Sequence, residues 1–196
     1  MRINLPTPKR KGEMSLEEAI DLRKSIRHYK DEPLTLEQVS QILWAAYGMN
    51  TYGKRTSPSA GACYPFDVYI AVSNVKDLTP GLYRYNDKNH ALELIREINL
   101  NGPLAKACLN QRHVENAPIN IIIVARYERT TRRYGERGYR YVHIDAGHMG
   151  QNIYLQVTAL GLGTVAVGAF RDEEVKKVID VPGEPLYIFP VGVPES

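Results

Sequence analysis

The segment Arg23-Lys24-Ser25-Ile26-Arg27 sets two guanidinium groups and a hydroxyl at alternate positions, directly after a helix-start signal. These groups suit a phosphate, because Arg presents a rigid fork of donors that matches phosphate oxygens and the hydroxyl adds one more. The backbone decides whether they converge. On a helix, steps of two residues fall about 200° apart, so Arg23 and Arg27 would share a face while Ser25 pointed away. In an extended chain all three side chains line one side and can meet a single anion. The competing reading is a basic helix end whose cations offset the negative end of the macrodipole. Two further stretches are small-residue turns, Pro58-Ser59-Ala60-Gly61-Ala62 and Gly161 to Ala169. Turn geometry explains each alone. Together with an anion site they suit a planar cofactor with a phosphate tail, since small residues let backbone amides approach a ring edge.

Other chemistries find little support. No G-x-G-x-x-G follows a strand and no G-x-x-x-x-G-K-[ST] occurs, so a nucleotide would have to be held in another way. His143 and His148 are five apart on an expected helix, about 140° from each other, and do not converge on a metal; no metal site is expected. No serine sits in a nucleophile elbow and no local pair of carboxylates suggests hydrolysis. Cys63 and Cys108 lie among small or apolar residues and read as free thiols without a catalytic role.

A chain of 196 residues predicts one domain, residues 1–196. Its 43% hydrophobic and 24% charged residues fit a soluble globular protein, and a net charge of +3 is too small to argue for nucleic acid. No signal peptide and no run of about 20 apolar residues is present, so no membrane partner and a cytoplasmic location are expected.

Several elements must position the candidate residues. Ser15-Leu16-Glu17-Glu18 and Thr35-Leu36-Glu37-Gln38 are capping boxes. They predict helices over about 16–24 and from Leu36 to Gly48. A loop over 49–63 delivers Pro58 to Ala62. Phe66 to Val72 alternates as a strand with one face in the core, and strands around 82–85 and 91–95 flank a turn. Pro103 is expected at the first position of a helix. Ile119 to Val124 reads as a central strand covered on both faces. The arginines at 126, 129, 132, 133, 137 and 140 read as a solvated loop. A long buried helix follows from Tyr141 to Leu160, stopped by Gly161. A short strand begins at Thr164, Asp172 caps a helix through Ile179, and a last strand runs from Leu186 to Gly192. The class is α+β, a central mixed sheet flanked by helices.

Taken together, these residues resemble the nitroreductase family of FMN-dependent oxidoreductases over nearly the whole chain. Arg23-Lys24-Ser25-Ile26-Arg27 is similar to the family's R-x-S-x-R signature, which implies that Arg23, Lys24, Ser25 and Arg27 bind the FMN phosphate and ribityl chain. Pro58 to Ala62, ahead of Tyr64-Pro65-Phe66, is similar to the loop that reaches the flavin from the partner subunit. The resemblance therefore implies a homodimer with FMN at its interface. Ala159 to Phe170 resembles the segment that runs along the isoalloxazine, which places Gly163, Ala166, Val167, Gly168 and Ala169 at the ring, with a backbone N–H near N5. Asn110 or Gln111 stands where the family has an amide side chain near the flavin.

The implied activity is hydride transfer from NAD(P)H through FMN to a nitroaromatic, quinone or other organic acceptor in a ping-pong cycle, with no side chain assigned as acid or base. An arginine-rich lid over 126–140 would favour NADPH. The N-terminal Leu5-Pro6-Thr7-Pro8, Gly81 to Tyr85 and Asp145 to Asn152 look more like the branch that includes azoline-oxidising dehydrogenases of peptide natural products, which is the alternative reaction. A non-catalytic FMN-binding or storage protein is a further alternative. Val191 to Ser196 lacks the basic residue that completes the phosphate site in many members, and the extension that embraces the partner. Arg23 and Arg27 are therefore expected to carry the phosphate's charge, and the central helices to hold the dimer.

Overall fold

The computed structural model describes residues 1–195; Ser196, the last residue of the C-terminal departure above, lies outside them. Both capping boxes form. In each, the N-cap hydroxyl accepts the N–H three residues on and that residue's side chain accepts in return, starting α1 (Leu16–Leu22) at Ser15 and α2 (Leu36–Tyr47) at Thr35. Helix α1 stops two residues short of the expected end. Arg23 takes φ −57° and ψ 123°, and residues 23–28 have no helical structure.

Seven strands form one sheet: β1 (Arg2–Asn4), β2 (Phe66–Val72), β3 (Gly81–Asn86), β4 (Ala91–Arg96), β5 (Ile119–Ala125), β6 (Gly163–Thr164) and β7 (Glu184–Gly192), in the order β1-β4-β3-β2-β5-β7-β6. Every ladder between them is antiparallel, where the sequence suggests a mixed sheet. Parallel pairing occurs at the isolated bridge Leu34–Val75. Strand β5 is central, between β2 and β7. Ile121 and Ile123 enter the core beneath α2 and α6 (Arg137–Ala159), while Ile122 and Val124 enter the opposite one beneath α3 (Asn101–Ala107), α4 (Arg112–Glu115) and α7 (Asp172–Ile179). Burying each such side chain contributes about 1.5–3 kcal/mol, which is why β5 has no polar alternation along this run. Strand β2 is likewise buried on both faces, not one, because helices cover both sides of it.

Three further helix boundaries differ from those read in the sequence. Helix α3 begins at Asn101, so Pro103 sits in its third position. Helix α7 is capped from Arg171 without a side-chain bond, so Asp172 is its first residue. The arginine-rich stretch is not a loop: it forms α5 (Glu128–Tyr134) and then the first turns of α6, which starts four residues early, while Gly161 stops α6 at φ +68° as expected.

The reason lies at Asp67, a buried carboxylate on β2. It pairs with Arg129 at 3.0 Å, with Arg84 at 3.2 Å and with Arg126 at 3.6 Å. Arg129 also donates to the Phe66 carbonyl at 3.2 Å, fastening α5 to the start of β2. Replacing Asp67 with Asn should lower unfolding stability by about 1–3 kcal/mol, as expected when charge-assisted hydrogen bonds lose their acceptor. Urea titration would measure it. An unchanged midpoint would mean that the three guanidiniums are held by something else.

Candidate functional site

After α1 the chain is not helical, and it brings Arg23 and Ser25 to one side together, both at Tyr154. It lies against β6: the Ile26 N–H donates to the Thr164 carbonyl at 2.8 Å. The approach is tight. A Cβ on Gly163 would stand 2.7 Å from Ile26 Cγ2, so a side chain there would push the basic segment away. Among the described residues no carboxylate pairs with Arg23, Lys24 or Arg27.

Tyr154 of α6 joins this segment to the second candidate element. Its hydroxyl lies 2.9 Å from Ser25 Oγ and accepts the Ala166 N–H at 2.8 Å, and the Arg23 guanidinium sits 5.1 Å from its ring centroid. In the turn that follows β6, the Val167 N–H donates to the Ile188 carbonyl at 2.8 Å. Ala166 and Val167 are thus engaged through their N–H groups, whereas the exposed Gly168 and Ala169 have no N–H partner among the described residues. A Cβ on Gly168 would meet Tyr187 at 3.5 Å and nothing nearer. The two outermost residues of the turn therefore offer backbone donors to solvent.

Of the two amide candidates, Gln111 reaches this turn, donating from Nε2 to the Ala169 carbonyl at 2.8 Å. Asn110 is exposed, at φ +60° in the tight turn before α4. Nearby His113 has its imidazole pKa pushed down, first by burial and then by the Arg27 and His28 charges.

The loop Pro58 to Ala62 lies elsewhere in the chain. The Ala60 N–H donates to Asp145 Oδ2 of α6 at 3.1 Å, Ser59 Oγ accepts the Tyr64 N–H at 2.9 Å, and Arg133 donates to the Gly61 carbonyl at 3.1 Å. Gly61 takes φ +58°, and a Cβ there would be 2.4 Å from the Tyr134 hydroxyl. Asp145 and Tyr154, the anchors of the loop and of the basic segment, are nine residues apart on α6, about 14 Å of rise. One chain brings Arg23, Ser25, Gly163, Ala166 to Ala169 and Gln111 together but leaves Pro58 to Ala62 apart from them.

Tyr154 escaped the reading from sequence, and Asp145 entered it only within the segment that resembles one branch of the family, without a role. A signal existed: Asp145 and Asn152, a spacing of two helical turns, are polar residues on the side of α6 that faces the protein. Asp145 is buried, and Asn152 donates to the Ala45 carbonyl at 3.0 Å and to Ser57 Oγ at 3.1 Å. A groove of about 720 Å³ between the N-terminal segment and α2, lined by Lys9, Arg10, Gln41 and Trp44, shares none of the candidate residues. Among the described residues no group of three or more metal-ligating side chains converges, and no helix is long and apolar enough to cross a membrane.

The Nitroreductase family model matches residues 20–193, from within α1 to just past β7. The chain belongs to the nitroreductase family. "Putative nitroreductase MJ1384" of Methanocaldococcus jannaschii is 46% identical over 193 residues, 98% of this chain and 96% of that protein. A Ralstonia eutropha crystal structure described in the same terms is 31% identical with a TM-score of 0.86, covering 100% of this chain and 90% of that one. The "Microcin B17-processing protein McbC" of Escherichia coli is 24% identical over 155 residues, 76% of this chain and 57% of that protein, little more than half of its length.

In this nitroreductase-family chain the placement of the 58–62 loop depends on a buried acid. Burial pushes the Asp145 carboxyl up, against the smaller opposing effects of the Ala60 N–H and His148. A carboxyl raised in the folded state contributes stability that is complete below its unfolded value, about 3.9, and lost as pH rises through its folded value. Asn cannot ionise, and its carbonyl can still accept the Ala60 N–H. Asp145→Asn should therefore gain on the wild type in urea-unfolding stability between pH 4 and pH 7. A difference that does not change with pH would contradict this assignment.

Proposed function

We propose that the protein is an FMN-dependent oxidoreductase that moves hydride between NAD(P)H and an organic acceptor such as a nitroaromatic or quinone. The observation that carries this reading is the convergence of Arg23, Ser25 and the Ala166 to Ala169 turn around Tyr154. The residues present fit FMN. Guanidiniums without carboxylate partners and an exposed hydroxyl suit its phosphate, and the free N–H groups of Gly168 and Ala169 suit a ring edge beside an open glycine. When bound, FMN supplies the hydride chemistry. The chain's own part is to hold the tail with Arg23, Lys24, Ser25 and Arg27, and to aim backbone donors from Gly168 and Ala169. Gln111 braces that turn from behind.

The dimer belongs to the same proposal. Leu16, Ile20 and Leu22 of α1 and Ile144 of α6 are each more than half exposed, an unusual density of large apolar side chains on neighbouring helices. A second copy of the chain is the occupant favoured by the loop, because the 14 Å offset along α6 leaves Pro58 to Ala62 free to meet a partner's site. Two free thiols and a reduced nicotinamide donor suit a cytoplasmic setting. The donor preference is open to experiment, since Arg126, Arg129 and Arg133 are engaged within the chain, leaving Arg132, Arg137 and Arg140 exposed as cations for a nicotinamide phosphate. Similarity to the microcin-processing protein favours azoline oxidation as the second reading.

Purified protein should be yellow, bleach under anaerobic NADH or NADPH, and recover colour with a nitroaromatic or quinone. Bleaching by neither nicotinamide would remove the NAD(P)H assignment and leave azoline oxidation or flavin storage. Arg23→Gln combined with Arg27→Gln should give folded, colourless protein, and stoichiometric flavin in that variant would show that the phosphate lies elsewhere. Ile20→Glu should convert a dimer to a monomer in sedimentation analysis and lose flavin with it. A monomeric wild type that retains flavin would sink the two-chain site.

A further inference from the structure

The contact between Ser25 and Tyr154 could run either way, and the other partner of the phenol oxygen favours one direction. A tyrosine hydroxyl has one proton to give, and here one of its lone pairs already takes the Ala166 N–H. If Ser25 donated to Tyr154, the phenol proton would be left to solvent, since no other protein acceptor is present among the described residues. Ser25 would also turn its lone pairs outward, toward any anion between Arg23 and Arg27. If Tyr154 donates instead, its hydroxyl is satisfied on both counts. Ser25 Oγ then accepts on its inner side and its own proton is left to point outward.

Tyr154 fixes its neighbour Arg23 as well. The guanidinium lies over the ring at 5.1 Å from its centroid, where cation–π attraction holds it, and among the described residues its N–H donors have no hydrogen-bond partner. The ring is itself held at 6.1 Å from Phe189, edge to face, so neither partner hangs on a loose side chain. One residue therefore orients two of the donors expected at the phosphate.

We propose that Tyr154 is a positioning residue that selects a phosphorylated flavin over an unphosphorylated one, by making Ser25 an outward donor beside Arg23. This rests on the FMN reading above and goes beyond it, because it assigns selectivity for the tail to a residue that need not touch the flavin. The ring turn depends on Tyr154 through the Ala166 N–H, so a purely structural role must be separated from tail selection. The comparison of FMN with riboflavin, which lacks the phosphate, does so.

Affinities for both flavins, read from quenching of flavin fluorescence, should be measured for the wild type, Tyr154→Phe, Ser25→Ala and the double variant. Phe keeps the ring under Arg23 and against Phe189. The expected result is that Tyr154→Phe weakens FMN about tenfold, the scale of one hydrogen bond to a charged group, and riboflavin less than about twofold. In the Ser25→Ala background the effect of Tyr154→Phe on FMN should shrink to that seen with riboflavin, because no serine proton remains to be directed. Equal weakening of both flavins, or loss of both, would assign Tyr154 to support of the ring turn and overturn the proposal. A tenfold loss of FMN that persists without Ser25 would overturn it too. A wild type that binds neither flavin would refute the site reading itself.

Discussion

The hydrogen bond from the Ile26 N–H to the Thr164 carbonyl is the contact on which the candidate site depends. It ties the segment that leaves α1 to a short edge strand more than a hundred residues away, and it is possible because Gly163 has no side chain. With the two backbones in register, Ser25 meets Tyr154 on one side of the contact and Arg23 lies over the same ring. The turn beyond Thr164 is then fixed by the Ala166 and Val167 N–H groups. The basic segment and the small-residue turn are thus one construction, although neither specifies the other locally.

How much of this was legible follows from the range of the interactions involved. The two capping boxes, the apolar run of β5 and the stop at Gly161 are local signals, and each formed where the sequence put it. The helical state of residues 128–134 was not legible. Arginine suits a helix, but a stretch with six of them looks solvated unless its counter-charge is known, and the counter-charge, Asp67, sits some sixty residues earlier. The two-sided burial of β2 was hidden in the same way, because Asp67 and Tyr69 read as a polar face until arginines and helices cover them. In the site, the types of the ligand-facing residues were legible from motif resemblance. The roles of Tyr154 and Asp145 were not, since each acts on a residue distant in sequence.

The chain's modest positive charge conceals a division of labour among its arginines. Arg84, Arg126 and Arg129 surround one buried acid, and Arg55 pairs with Asp87 while lying within 5.6 Å of the Tyr47 ring centroid and 5.1 Å of that of Tyr64. Those cations are held by acids or rings within the fold and stiffen it. Arg23 and Arg27 have no such acid and keep their donors available. The difference lies in the neighbours rather than in the side chain, so a count of basic residues says little about where an anion would bind.

The loop from Pro58 to Tyr64 carries three departures from ordinary backbone within four residues, with φ of +58° at Gly61, +54° at Ala62 and +48° at Tyr64. For the two residues with a Cβ this conformation costs about 1 kcal/mol or more each, and it persists because Asp145, Ser59 and Arg133 hold the loop at three points. The loop is therefore finished before anything meets it. A surface moulded in advance surrenders little entropy on association, so whatever docks there finds a template already set, and the enthalpy of contact need not be spent on shaping it.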